Sequence, residues 1–155
     1  MINLIKNIEK AIPEINSKIN DKTLGINYLE KLKYLLIDAI KEMNIETSNR
    51  IENLDNQNII INFGENKLSI NLDIYKEAIT KIKKNIQKDY LCIVLEGFIS
   101  IDIYDNLKTK EFQSINLFSK TGMVLTQNTL ITESIAKDSI LLYIINDRVG
   151  PIKED

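Results

Sequence analysis

Tyr90-Leu91-Cys92-Ile93-Val94-Leu95-Glu96-Gly97-Phe98-Ile99-Ser100-Ile101-Asp102-Ile103-Tyr104 is the stretch whose pattern decides the fold. It opens with the apolar run Leu91–Leu95 and passes through Glu96-Gly97. Beyond the glycine, Ile99, Ile101 and Ile103 alternate with Ser100 and Asp102. A period of two places those isoleucines on one face of an extended strand, as on a sheet with one buried face. A helix would bring together residues three and four apart instead.

Period two continues on both sides. Upstream, Asn58–Phe63 and Lys67–Leu72 flank Gly64-Glu65-Asn66, the pattern of a hairpin. Downstream, Asp105-Asn106 turns the chain and Glu111–Phe118 returns it. Short strands are expected around Met123–Thr126, Leu130–Ile135 and Ser139–Asn146. Many short strands between polar turns predict a sandwich or a jelly-roll barrel. Residues 73–88 read either as a helix or as an extended stretch with a strand at Ile79-Thr80-Lys81-Ile82-Lys83.

The N-terminal third carries a different period. Ile5, Ile8, Ile12, Ile15 and Ile19 recur every three or four residues and share a helix face. Pro13 implies either a kink there or a second short helix with the proline in its first turn. After the turn at residues 20–25, Leu29, Leu32, Leu36, Ile40 and Met43 form a second apolar face. Two such helices predict an αα-hairpin that either covers one side of the β region or serves as a dimerisation element. Residues 44–57 are polar and read as a linker.

The 155 residues fit one domain, organised as a helical hairpin at 1–55, a β-barrel at 56–150 and a short tail at 151–155. The net charge of −2 is evenly spread, and Arg50 and Arg148 are the only arginines. That balance excludes a typical nucleic-acid binder. No apolar run approaches a membrane span, and the N-terminus does not read as a signal peptide. The single cysteine, Cys92, lies in an apolar run and reads as a buried small hydrophobe. A cytoplasmic location is expected.

The motifs resemble those of the cupin (RmlC-like jelly-roll) superfamily. Val94-Leu95-Glu96-Gly97 followed by the alternating strand is similar to the first cupin strand pair. Thr121-Gly122-Met123-Val124-Leu125 resembles the glycine turn opening the second motif. Lys137-Asp138-Ser139-Ile140-Leu141-Leu142-Tyr143-Ile144 resembles the closing strand. The resemblance spans residues 58–147 and implies a mainly β protein: a cupin-like jelly-roll β-barrel preceded by the helical hairpin. It also implies a histidine-held metal, yet the chain contains no histidine. Counting from Gly97, the ligand positions of the family fall at Lys83, Asn85, Tyr90 and Thr132, a poor set for a divalent transition metal. The expectation is a degenerate member with no metal site and no cofactor.

Without histidine the commonest general base near neutral pH is missing, and no Ser-His or Cys-His pair can form. Glu96 is the carboxylate that could stand in as a base, Tyr90 and Tyr104 are the hydroxyl donors, and a metal site would need Glu96, Glu133 or Asp102 to converge. Lys76, Lys81, Lys83, Lys84 and Lys88 form the basic cluster. If this segment is a strand, alternate lysines share a face, and Lys83 can point inward to pair with an anion. Cyclic-nucleotide-binding domains are a further jelly-roll likeness, but neither arginine occupies their phosphate-binding place. The expected function is a non-catalytic small-molecule-binding or assembly protein on a metal-free barrel, with Lys83, Asn85, Tyr90 and Thr132 at the ligand site. The alternative is a metal-independent isomerase or epimerase acting on nucleotide-linked sugars. The expected partners are a small anionic or sugar-like ligand and a second copy of the chain, with neither nucleic acid nor membrane.

Overall fold

A computed structural model describes residues 4–19, 26–43, 55–63, 66–104 and 111–148. The turns expected at 20–25, Gly64-Glu65 and Asp105-Asn106, most of the linker at 44–57, and the tail at 151–155 lie outside the described residues. Two helices, α1 (Leu4–Ser17) and α2 (Ile26–Glu42), precede nine strands. These are β1 (Gln57–Phe63), β2 (Asn66–Tyr75), β3 (Ile79–Asn85), β4 (Tyr90–Glu96), β5 (Phe98–Tyr104), β6 (Glu111–Phe118), β7 (Thr121–Leu125), β8 (Leu130–Ile135) and β9 (Ser139–Arg148).

The strands form two antiparallel sheets. The first has the order β1-β2-β9-β4-β7 and the second β3-β8-β5-β6. This is a cupin-like jelly roll behind a helical hairpin. Among the described residues the two ladders remain separate, so the expected barrel is an open sandwich and not a closed cylinder. β4 passes directly into β5 through Gly97, whose φ of 93° lies in the left-handed region. One residue thereby carries the chain from the first sheet to the second.

Three layers result. Leu68, Ile70 and Leu72 of β2, Leu91, Ile93 and Leu95 of β4, and Ile140, Leu142 and Ile144 of β9 face the helices. Ile5, Ile8, Ile12, Ile15 and Ile19 meet them from α1, as do Leu29, Leu32, Leu36 and Ile40 from α2. The apolar stripes read from the sequence are therefore consumed within the chain. α1 runs through Pro13, which stays exposed on its outer side. The Tyr28 hydroxyl donates to Asn16 Oδ1 at 2.7 Å, a buried bond that ties α2 to α1. The opposite face of the first sheet, including Cys92, Val94, Leu141 and Tyr143, packs on Ile99, Ile101, Ile131 and Ile135 of the second. β4 is buried on both faces, which is why Leu91–Leu95 carries no alternation. Each aliphatic side chain removed from water in this way contributes about 1.5–3 kcal/mol. Among the described residues no helix is long and apolar enough to cross a membrane.

Residues 73–88 contain no helix: β2 runs to Tyr75, a bend follows, and β3 spans Ile79–Asn85. β3 carries an irregularity, because Ile79 pairs with Ile135 while Ile82 pairs with Glu133. Thr80 and Lys81 thus oppose Ser134 alone, which is a β-bulge. Lys81 adopts φ 49°, and its N–H donates to Ser134 Oγ at 3.1 Å.

Candidate functional site

Strand parity sorts the side chains between the sheets. On β2 the odd residues Asn71, Asp73 and Tyr75 point away from the helices, and on β9 so do Tyr143 and Ile145. On β4 the even residues Tyr90 and Cys92 do the same. Register aligns them, since Asn71 and Cys92 both pair with Tyr143, and Tyr90 pairs with Ile145. From the other side come Lys84 at the end of β3 and the segment Asn85-Ile86-Gln87-Lys88. Together they line an open cavity of about 540 Å³. That is room for a small organic ligand.

Behind Lys84 lies a buried charge. Glu133 points inward between Ile131 and Ile135 on β8 and is 2% exposed. Its Oε1 is paired with Lys84 Nζ, whose side chain is 43% exposed at the cavity wall. Its Oε2 is buried and has no hydrogen-bond partner among the described residues. A buried ion pair is stable only when both members stay paired, so each holds the other in place.

Tyrosines surround this pair. The hydroxyls of Tyr75 and Tyr143 lie 3.3 Å apart and share a hydrogen bond. The rings of Tyr90 and Tyr143 meet edge to face, with centroids 5.8 Å apart. Burial pushes the Tyr75 phenol up to about 12 and those of Tyr90 and Tyr143 higher still. All three stay neutral near pH 7 and act as hydroxyl donors and acceptors. Burial also raises the Asp73 carboxyl, partly offset by the Lys84 charge. The Cys92 thiol is fully buried and pushed far up, which leaves it unreactive.

Of the four residues expected at the site, the structure brings Asn85 and Tyr90 together at the cavity. Lys83 and Thr132 pair with each other across β3 and β8, on the face of the second sheet that looks away from it. The bulge is the reason. Strict alternation from Ile79 places Lys81 and Lys83 inward, whereas the extra residue shifts the inward set to Ile82 and Lys84. Lys84, Asp73, Tyr75, Tyr143, Asn71 and Gln87 were not singled out as ligand-site residues by the sequence pattern. Glu133 was weighed only as a metal ligand. Glu96 is half-buried at the end of β4, and neither it nor Tyr104 and Asp102 lines the cavity.

The residues do not fit the metal that the cupin resemblance implies. The buried carboxylate next to the cavity is tied to an ammonium, and the neighbouring hydroxyls are phenols held protonated. Among the described residues no group of three or more histidine, cysteine, aspartate or glutamate side chains could hold an ion.

No protein-family model and no curated protein matches the sequence. Solved structures that resemble the chain include the CENP-C cupin domain of Drosophila melanogaster, at 14% identity and TM-score 0.44, covering 57% of this chain and 75% of that one. Another is the pro-11S globulin of pumpkin, at 12% identity and TM-score 0.43, with 55% of this chain covered. The chain spans only 22% of that globulin's length. A third, a putative mannose-6-phosphate isomerase from Ralstonia eutropha JMP134, has 5% identity and TM-score 0.41, covering 69% of this chain and 93% of that one. Each is a likeness in fold alone.

Proposed function

We propose that the chain is a non-catalytic small-molecule-binding protein whose ligand enters between the two sheets at the end formed by β2, β3, β4 and β9. The observation that carries this is the cavity of about 540 Å³ lined by Asn71, Asp73, Lys84, Asn85, Gln87 and two tyrosines. A concave space with apolar walls and a few converging polar side chains is the usual form of a small-molecule site. The neutral phenols support binding over proton abstraction, since a base must be able to take up a proton.

A thermal-shift panel on tag-free protein tests the proposal, with neutral sugars, sugar phosphates, nucleotide sugars and cyclic nucleotides as probes. A compound at a hundredfold excess over its dissociation constant stabilises the native state by about 2.7 kcal/mol. The expected result is a shift that disappears in Asn71→Trp, where the indole fills the cavity. A shift that persists in that variant places the ligand elsewhere, and no shift with any probe removes the proposal.

A further inference from the structure

The charges around the cavity discriminate between ligand classes. Lys84 and Asp73 both line it and feel each other electrostatically. Lys84 is nonetheless paired with Glu133, and among the described residues no ion pair joins it to Asp73. The second oxygen of Glu133 is sealed in without a donor. These three side chains therefore set one positive charge against two negative ones. Lys88 at the rim adds a second positive charge, so the surroundings as a whole are balanced and favour neither sign.

A phosphate or carboxylate entering this space meets an ammonium already paired with Glu133, beside the Asp73 carboxylate that repels it. A hydroxyl group suits the same surroundings. It donates to a carboxylate, accepts from an ammonium or an amide N–H, and brings no charge to desolvate. The amides of Asn71, Asn85 and Gln87 extend this mixed donor and acceptor surface. The Tyr90 and Tyr143 rings supply an apolar wall for C–H groups.

We infer that the ligand is an uncharged, hydroxyl-rich molecule of the sugar or polyol class, with neighbouring hydroxyls bridging Lys84 and Asp73. The inference rests on the small-molecule reading above and narrows its ligand class. It also separates the two partner chemistries expected from the sequence, keeping the sugar-like one and discarding the anion.

Ligand-observed NMR on the full chain tests it, using glucose, galactose, mannose, ribose and inositol, each beside its own monophosphate. At least one neutral compound is expected to bind, with its monophosphate weaker. Removing a charged hydrogen-bond acceptor by Asp73→Asn should weaken the neutral compound by about tenfold or more and narrow its lead over the phosphate. Asp73 is only half-buried, so this variant keeps the core intact. Monophosphates binding as tightly as their parents, or alone, overturn the inference and leave the small-molecule reading standing. If no member of either set binds, the inference falls, and the wider thermal-shift panel alone decides the small-molecule reading.

Discussion

At the residue scale the decisive pair is Lys84 and Glu133. Removing one member strands the other, and a buried carboxylate without its cation is far more costly than the pair was favourable. Lys84→Met is expected to destabilise the fold by about 2 kcal/mol, less than a fully buried pair because Lys84 reaches solvent. Adding Glu133→Leu to that variant should restore much of the loss, since the apolar pair needs no counter-charge. Urea denaturation of the two single variants and the double variant measures this. A double variant less stable than Lys84→Met alone would show that Glu133 has another partner.

At the scale of single elements the β4–β5 junction is the tightest point. A Cβ built on Gly97 meets the Ser139 hydroxyl and lies 2.7 Å from Ser139 Cα, at a φ that L side chains avoid. Ser139 Oγ already accepts from Phe98 N–H at 3.1 Å, so the serine has no room to withdraw. Gly97→Ala should therefore cost about 2–4 kcal/mol, read as a lower urea midpoint, whereas an unstrained Gly→Ala exchange stabilises by under about 1 kcal/mol. A midpoint equal to wild type would refute the steric account. This junction was visible in the sequence, because an apolar run, a glycine and an alternating strand each leave a strong pattern. The β1–β2 hairpin and the two helices were visible for the same reason. β3 was not. Its parity depends on a bulge at Thr80-Lys81, and a left-handed lysine leaves no mark in the composition. That single offset turns Lys84 rather than Lys83 toward the cavity. Glu133 was hidden because a charged residue between Thr132 and Ser134 resembles the solvent face of a strand. Tyr143 was hidden inside a run that is buried on both sides.

For the molecule as a whole, the buried phenols set a limit on alkaline stability. Tyr28 and Tyr75 are pushed from 10.0 to about 12, and Tyr90 and Tyr143 further. The folded chain thus holds protons that the unfolded chain releases. Their contribution is fully present below about pH 10 and is lost as pH rises toward their folded values. Phenolate absorbance and far-ultraviolet circular dichroism should consequently show these tyrosines ionising together with unfolding above about pH 10. Ionisation of all four at ordinary values, with the circular dichroism unchanged, would contradict the burial described above.

The pairing of β2 with β9 has one more consequence, which concerns time. Asn66 lies against Arg148 and Tyr75 against Ser139, so a ladder at the centre of the first sheet joins segments separated by most of the β region. The chain must synthesise and retain everything in between before that ladder can form. Closing so long a loop sacrifices chain entropy before any contact compensates, and topologies of this kind fold in milliseconds to seconds. The helices and the β1–β2 hairpin are local and can form first. Until β9 arrives, the edge of β2 that it will occupy is a strand without a neighbour, and this is the interval in which the protein is most exposed to pairing with another copy of itself.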